Sequence, residues 1–160
     1  MILLRHGKSD WDIPTSDRLR PLAKRGERQA PAAGEWLAQE DIVPNLVIVS
    51  PATRAQQTWE LVAPALTEAA GENEMRVQTE EWAYTFAASD LMALLDSVPD
   101  PVPTVMLVGH NPAFEDLAEM LTDSTVRLKT SSVAVIDFPE AGFTPGTGTV
   151  RYAGRPADHA

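Results

Sequence analysis

Three stretches of continuous apolar residues, Ile2-Leu3-Leu4, Leu46-Val47-Ile48-Val49 and Thr104-Val105-Met106-Leu107-Val108, set the strongest limit on how this chain can fold. None alternates with polar residues, so strands built from them are buried on both faces, as in a parallel sheet covered by helices on either side. Helical patterns separate the runs. The alternation predicts an α/β fold, a three-layer α/β/α sandwich around a mostly parallel central sheet. With 160 residues, 44% of them hydrophobic, the chain suits one domain, residues 1–160, that buries its own core.

Each run also ends in polar chemistry. Arg5-His6-Gly7 follow the first, Ser50-Pro51 with Arg54 just behind follow the second, and Gly109-His110-Asn111-Pro112 follow the third. Sheets of this class bind ligands beyond the carboxyl ends of their strands. Two arginines and two histidines are thereby directed to one rim.

The segments between the runs supply the connections. Gly7 to Pro21, interrupted by Pro14 and Pro21, reads as a loop over the first strand end. Lys24–Gln39 carries Ala30, Ala33 and Leu37 at helical spacing, with a kink expected at Pro31. Ser50 at the cap and Pro51 at the first helical position predict a helix start, followed by Ala55, Trp59, Val62 and Leu66 on one face. Met75–Thr79 reads as a short strand and Glu80–Ala88 as an acidic, aromatic loop. Ser89–Ser97 reads as a helix capped by Ser89, with Pro99, Pro101 and Pro103 turning the chain out of it. Asn111-Pro112 opens a helix running through Leu121. Ser132–Phe138 and Thr149–Tyr152 complete the strands, the last at an edge, and Pro156–Ala160 reads as a frayed tail. Trp36, Trp59 and Trp82 are expected to be packing residues.

Bulk properties exclude several functions. The net charge of −10, from 13 Lys plus Arg against 23 Asp plus Glu, repels polyanions, so no nucleic-acid partner is expected. The chain has no cysteine, hence neither a disulfide framework nor a thiolate nucleophile, which suits a reducing compartment. No stretch approaches the ~18 apolar residues of a membrane span. A cytoplasmic protein without membrane contact is the expectation, its oligomeric state left open.

Against that acidic background, Arg5, Lys8, Arg18, Arg20 and Arg54 are candidates for a local anion site. Helix starts at Ser50-Pro51 and Asn111-Pro112 add unpaired N–H groups at the same rim, and a phosphate or phosphate monoester is the anion they suit. Arg5 and Arg54 could clamp a phosphoryl group through bidentate hydrogen bonds. His6 is the candidate nucleophile, since a neutral imidazole can attack phosphorus, and Gly7 leaves room for the incoming oxyanion. His110 would contact the equatorial oxygens. Gly7, Lys8, Ser9, Arg20 and Asn111 are further candidates for phosphate contact. Two rival readings are weaker. Asp10, Asp12, His6 and His110 lack a preformed metal-ligand spacing, and Ser50 lacks the G-x-S-x-G elbow of a hydrolase nucleophile.

The blocks Leu4-Arg5-His6-Gly7, Ser50-Pro51-Ala52-Thr53-Arg54-Ala55-Gln56-Gln57-Thr58 and Val108-Gly109-His110-Asn111-Pro112 resemble the three signature blocks of the histidine phosphatase superfamily, whose fold is phosphoglycerate mutase-like. Lys8-Ser9-Asp10-Trp11, Asp17-Arg18-Leu19-Arg20-Pro21-Leu22 and Arg25-Gly26 are similar to its small SixA-like branch of phosphohistidine phosphatases. The resemblance implies His6 as phosphoryl acceptor, a pocket of Arg5, Arg54 and His110, and neither metal nor organic cofactor. It implies a phosphorylated protein bearing phosphohistidine, or a small phosphorylated metabolite, as the partner. Larger members of the family carry an acidic proton donor on inserted segments that this chain is too short to hold, and Glu81 or Glu80 lies in the corresponding region.

Overall fold

The computed structural model describes residues 1–99 and 102–160; the turn expected at Pro101 lies outside them. Strand β1 (Ile2–Arg5) leads through a long loop to helix α1 (Lys24–Gln39), then β2 (Leu46–Val49), α2 (Thr53–Ala70) and β3 (Arg76–Thr79). A 3-10 turn (Glu81–Ala83), α3 (Ala88–Asp96), β4 (Val105–Gly109), α4 (Ala113–Thr122), β5 (Val133–Asp137) and β6 (Thr149–Gly154) follow. Among the described residues no helix is long and apolar enough to cross a membrane.

The sheet order is β3-β2-β4-β1-β5-β6. β3, β2, β4 and β1 run parallel, and β5 and β6 extend the sheet antiparallel. The apolar runs occupy its centre because only there are both faces covered. Successive residues of one strand therefore enter different cores. Leu3, Ile48 and Leu107 pack with Leu91, Phe114 and Leu117 of α3 and α4. Ile2, Leu4, Val47, Val49, Met106 and Val108 pack with Leu37, Trp59, Val62 and Leu66 of α1 and α2. This is the expected three-layer arrangement. Each fully buried Leu, Ile or Val contributes about 1.5–3 kcal/mol, so the layers fix the sheet's C-terminal rim firmly.

On the second face α1 and α2 meet at backbone distance. A Cβ on Gly34 would lie 2.4 Å from the carbonyl oxygen of Val62, so only glycine permits this approach. Helix α1 runs without interruption through Pro31, and the kink expected there does not break it.

Several expectations need correction. Helix α2 starts three residues later than Ser50, with Ala52 at its cap and no side-chain capping bond. Ser50 is recruited elsewhere, as described below. Helix α3 is preceded by Ala87 rather than capped by Ser89; Thr85 Oγ1 accepts the Ala87 N–H and donates to Asp90 instead. The tail is not frayed at 156–158: Pro156–Asp158 forms a 3-10 turn, Pro156 is buried, and Arg155 pairs with Asp158. Trp59 is buried and Trp36 stacks on Tyr152 at 4.0 Å, but Trp82 is exposed because the short turn carrying it presents Ala83 to the core instead.

Candidate active site

Because β2, β4 and β1 are adjacent at the sheet centre, their C-terminal ends bring residues distant in sequence to one place. The His6 N–H donates to the Gly109 carbonyl and the Ser50 N–H to the Val108 carbonyl. All three ends are thereby locked in register. His6, Ser50, Arg54 and His110 are all buried, and the rings of His6 and His110 lie with centroids 5.2 Å apart.

The tautomer of His6 follows from its partner. Its Nδ1 lies 2.7 Å from the Gly7 carbonyl oxygen, which can only accept, so Nδ1 carries the proton and Nε2 a lone pair. Burial, reinforced by the charges of Arg54 and Arg5, pushes His6 down to about 4 against the opposing pull of the Gly7 hydrogen bond. Burial likewise pushes His110 down to about 3, with help from His6 and Arg54. Both rings are neutral near pH 7.

Arg54 joins the two rings. Its Nε donates to His6 Nε2 at 3.3 Å and its Nη2 lies 3.4 Å from His110 Nδ1. These atoms form one edge of the guanidinium, the edge suited to bidentate recognition of an oxyanion. The other edge is held by Asp17: Nη1 donates to its carbonyl at 2.6 Å and Nη2 to its carboxylate at 3.0 Å. Tyr84 donates its hydroxyl to the same carboxylate. Those hydrogen bonds, from Tyr84 first and then Arg54, hold the Asp17 carboxyl below its usual range. Asp17 thus anchors the back of the guanidinium while long contacts, easily exchanged, occupy its front.

Thr58, one turn beyond Arg54 on α2, accepts the Gly7 N–H at 2.9 Å and donates to the Arg54 carbonyl at 2.7 Å. It ties the loop that follows His6 to the helix that carries the arginine. Gly26 at the start of α1 brings that helix against the same loop, since a Cβ there would lie 2.4 Å from the Lys8 carbonyl oxygen.

The remaining candidates are placed less uniformly. Arg5 donates to the Leu128 carbonyl at 2.8 Å, and its buried Nε has no protein partner. Lys8 is half-buried at the loop's edge. Gly7 is not available as an anion donor, because its N–H is taken by Thr58. Ser9 is buried in a bridge to Leu22 rather than turned to the rim. Arg20 is corrected too: its guanidinium faces the carbonyls of Asp10, Ile13 and Thr15 and lies 4.0 Å from the Trp11 ring centroid. A buried cation inside a loop rich in unpaired carbonyls satisfies them instead of binding phosphate. Asn111 commits its amide hydrogens to Glu115 and the Leu128 carbonyl, at 3.0 and 2.9 Å, so it cannot donate to an anion. Glu80 accepts from Gln78. Glu81 is exposed and clasped by Arg18 through two bonds of 2.8 and 2.6 Å, which hold its carboxyl below the usual range. A carboxylate kept ionised in this way is a poor proton donor.

Sequence reasoning missed Asp17 and Tyr84 as partners of the site, and the roles of Ser50 and Thr58. One signal pointed toward Asp17: a buried arginine requires a counter-charge, and the loop offers Asp10, Asp12 and Asp17. Among the described residues no cluster of three His, Asp or Glu side chains is placed to hold a metal ion.

Comparison with known proteins converges on one group. The family model described as histidine phosphatase superfamily (branch 1) matches residues 1–84. An uncharacterised chloroplast protein of Arabidopsis thaliana is 33% identical over 145 residues, covering 85% of this chain and 65% of that protein. Phosphohistidine phosphatase SixA of Escherichia coli is 28% identical over 144 residues, covering 89% of this chain and 87% of its own length. A crystal structure from Agrobacterium tumefaciens, provisionally named a phosphohistidine phosphatase SixA, superposes with a TM-score of 0.76 at 26% identity, covering 96% and 95% of the two chains.

Proposed function

Since the chain belongs to the histidine phosphatase superfamily, we propose that it is a phosphatase that passes the phosphoryl group of protein phosphohistidine to Nε2 of His6 and then to water. The observation that carries this reading is the lone pair on His6 Nε2 beside the free edge of Arg54, with His110 on the other side of that edge. In the first step the Nε2–P bond forms as the P–N bond to the substrate imidazole breaks, and that ring, already protonated on its other nitrogen, leaves as a neutral imidazole. In the second, water attacks phosphorus, the Nε2–P bond breaks, and inorganic phosphate and a proton are released.

Each side chain has a part in this sequence. Gly7 holds the proton on His6 Nδ1, so that the lone pair always faces the pocket. The phosphoryl oxygens replace the two imidazoles as acceptors for Arg54, exchanging contacts of 3.3 and 3.4 Å for shorter charge-assisted bonds. Asp17 fixes the guanidinium plane during the exchange. Arg5, held at the first strand end by the Leu128 carbonyl, supplies a second cation.

The state of Glu81 supports phosphohistidine over an alkyl phosphate ester. An alkoxide benefits from a general acid by about 10²–10⁴-fold, whereas a protonated imidazole departs without one. Glu81, held ionised by Arg18, offers no such proton. The net charge of −10 further favours a protein that presents one phosphoryl group over a polyanion.

The test ranks kcat/KM for a phosphohistidine peptide, a phosphoserine peptide, sugar phosphates and nucleotides, with trapping of the phosphoenzyme at alkaline pH. Phosphohistidine leads and the label is found on His6. A sugar phosphate at the head of the ranking would refute the substrate, and a full phosphoenzyme yield from His6→Ala would refute the nucleophile.

A further inference from the structure

Ser50 is wholly buried and fixed on every side: its N–H donates to the Val108 carbonyl at 2.9 Å, its carbonyl accepts from Gln56 Nε2 at 2.9 Å, and its Oγ accepts the Ala52 N–H at 3.2 Å. The same Oγ lies 2.7 Å from His110 Nε2. On the other side of that ring, Nδ1 faces Arg54 Nη2 at 3.4 Å. A guanidinium can only donate, so Nδ1 must present its lone pair, and the one proton of the neutral ring then sits on Nε2. With the opposite tautomer, two N–H groups would point at each other across that gap.

We propose that Ser50 is a positioning residue for His110: its hydroxyl oxygen accepts the ring Nε2–H, which leaves Nδ1 as the atom that faces the pocket and takes up a proton when a phosphoryl group arrives. The proposal rests on the phosphatase reading above. A neutral His110 held this way has no donor for the phosphoryl group, only a lone pair, which would repel it. Arrival of the anion draws the Arg54 edge away and places negative charge beside Nδ1. The proton comes from the phosphoryl hydroxyl of a bound monoanion, or from solvent for a dianion. The ring becomes an imidazolium, Nδ1–H donates to a phosphoryl oxygen, and Nε2–H stays on Ser50. No bond between heavy atoms changes.

The other groups facing the ring are consistent with this assignment. His6 lies at 5.2 Å and the Tyr84 ring edge-on at 5.4 Å, while Arg54, Arg5 and Asp17 act on it by charge. Glu115, in the first turn of α4, is turned away toward Asn111, Leu128 and Arg127. Ser50 is therefore the acceptor that Nε2 has in this structure. The sequence hides this role, because serine before proline at the end of an apolar run has the appearance of a helix cap.

Proton-detected NMR of the protein labelled with ¹⁵N-histidine reads the tautomer directly in the wild type. The free protein shows His110 with a slowly exchanging Nε2 proton and an unprotonated Nδ1, and saturating inorganic phosphate adds the Nδ1 proton. An Nδ1–H tautomer in the free protein overturns the proposal. Kinetics supply a second readout. Ser50→Ala lowers kcat for nitrophenyl phosphate by about 10–100-fold, as loss of an outer hydrogen-bond partner of a ligating histidine does, with KM much less affected, and Ser50→Thr restores most of it. Wild-type kcat in Ser50→Ala, alongside an inactive His110→Ala, overturns the role of Ser50 alone. A fully active His110→Ala would instead bring down the reading of the site.

Discussion

Holding two imidazoles neutral inside the protein makes its stability depend on pH in a calculable way. In the folded state His6 is pushed down to about 4 and His110 to about 3, both chiefly by burial, whereas an unfolded histidine titrates near 6.5. Between those values the unfolded chain binds more protons than the folded one, so stability is fully present above about pH 6.5 and is lost as pH falls. At pH 5 both folded values lie well below the ambient pH, and the loss depends almost entirely on the unfolded value. Each histidine then costs about 2 kcal/mol relative to pH 7, about 4 kcal/mol for the pair. For a chain of this size, with an m-value of about 2 kcal/mol per molar urea, the midpoint falls by roughly 2 M. The assay is urea unfolding followed by circular dichroism at half-unit pH steps from 7 to 5, run beside His6→Gln/His110→Gln. Other titrations are common to both proteins and cancel in the comparison. The double variant loses far less stability than the wild type over that window. Parallel curves would refute the claim that the site holds its histidines unprotonated.

Three further outcomes follow from the geometry. Arg54→Ala lowers kcat for nitrophenyl phosphate by about 10²–10³-fold, the usual cost of one preorganised donor; a loss under threefold in steady-state assays would remove Arg54 from the phosphate site. Gly34→Ala, which drives a Cβ to 2.4 Å from the Val62 carbonyl oxygen, destabilises the protein by about 1–3 kcal/mol through overpacking, seen as a lower urea midpoint, while an unchanged midpoint would show that α1 and α2 separate freely. Glu81→Gln leaves nitrophenyl phosphate hydrolysis within about twofold, as expected without general-acid help, and activity persists in EDTA; a loss restored by Mg²⁺ or Zn²⁺ would revive a metal-dependent reaction.

The strands were legible because continuous apolar runs have few alternatives to the centre of a covered sheet. Lys24–Gln39 was legible to the residue, even with Pro31 inside it. The starts of α2 and α3 were not: the Ser50 hydroxyl is taken up by His110, and Thr85 replaces Ser89 as the local acceptor before α3. The gathering of His6, Arg54 and His110 at one rim could be read from three strand ends. Which groups surround them could not. Asp17 meets Arg54 across 37 positions and Tyr84 across 67, and no local pattern encodes such pairings. Arg20 and Asn111 were misplaced for a shared reason: side chains that suit a phosphate suit buried carbonyls and carboxylates equally well, and only the packed structure says which they meet.

The sheet order has a consequence for how the chain is made. Among the described residues β1 pairs only with β4 and β5, and β2 only with β3 and β4. The first 84 residues, which the family model matches, contain His6 and Arg54 yet no pairing between β1 and β2, the strands that precede them. That half of the protein has a gap one strand wide, into which Val105–Gly109 must be inserted. During synthesis the strand ends behind His6 and Arg54 reach their final register only after residue 109 has emerged, and the late strand that joins them brings His110 in the same event. Sequence-distant pairing of this kind is slow relative to local contacts, so the edges of β1 and β2 that β4 will cover stay unpaired until late in synthesis, and His110 is the last of the three groups to arrive.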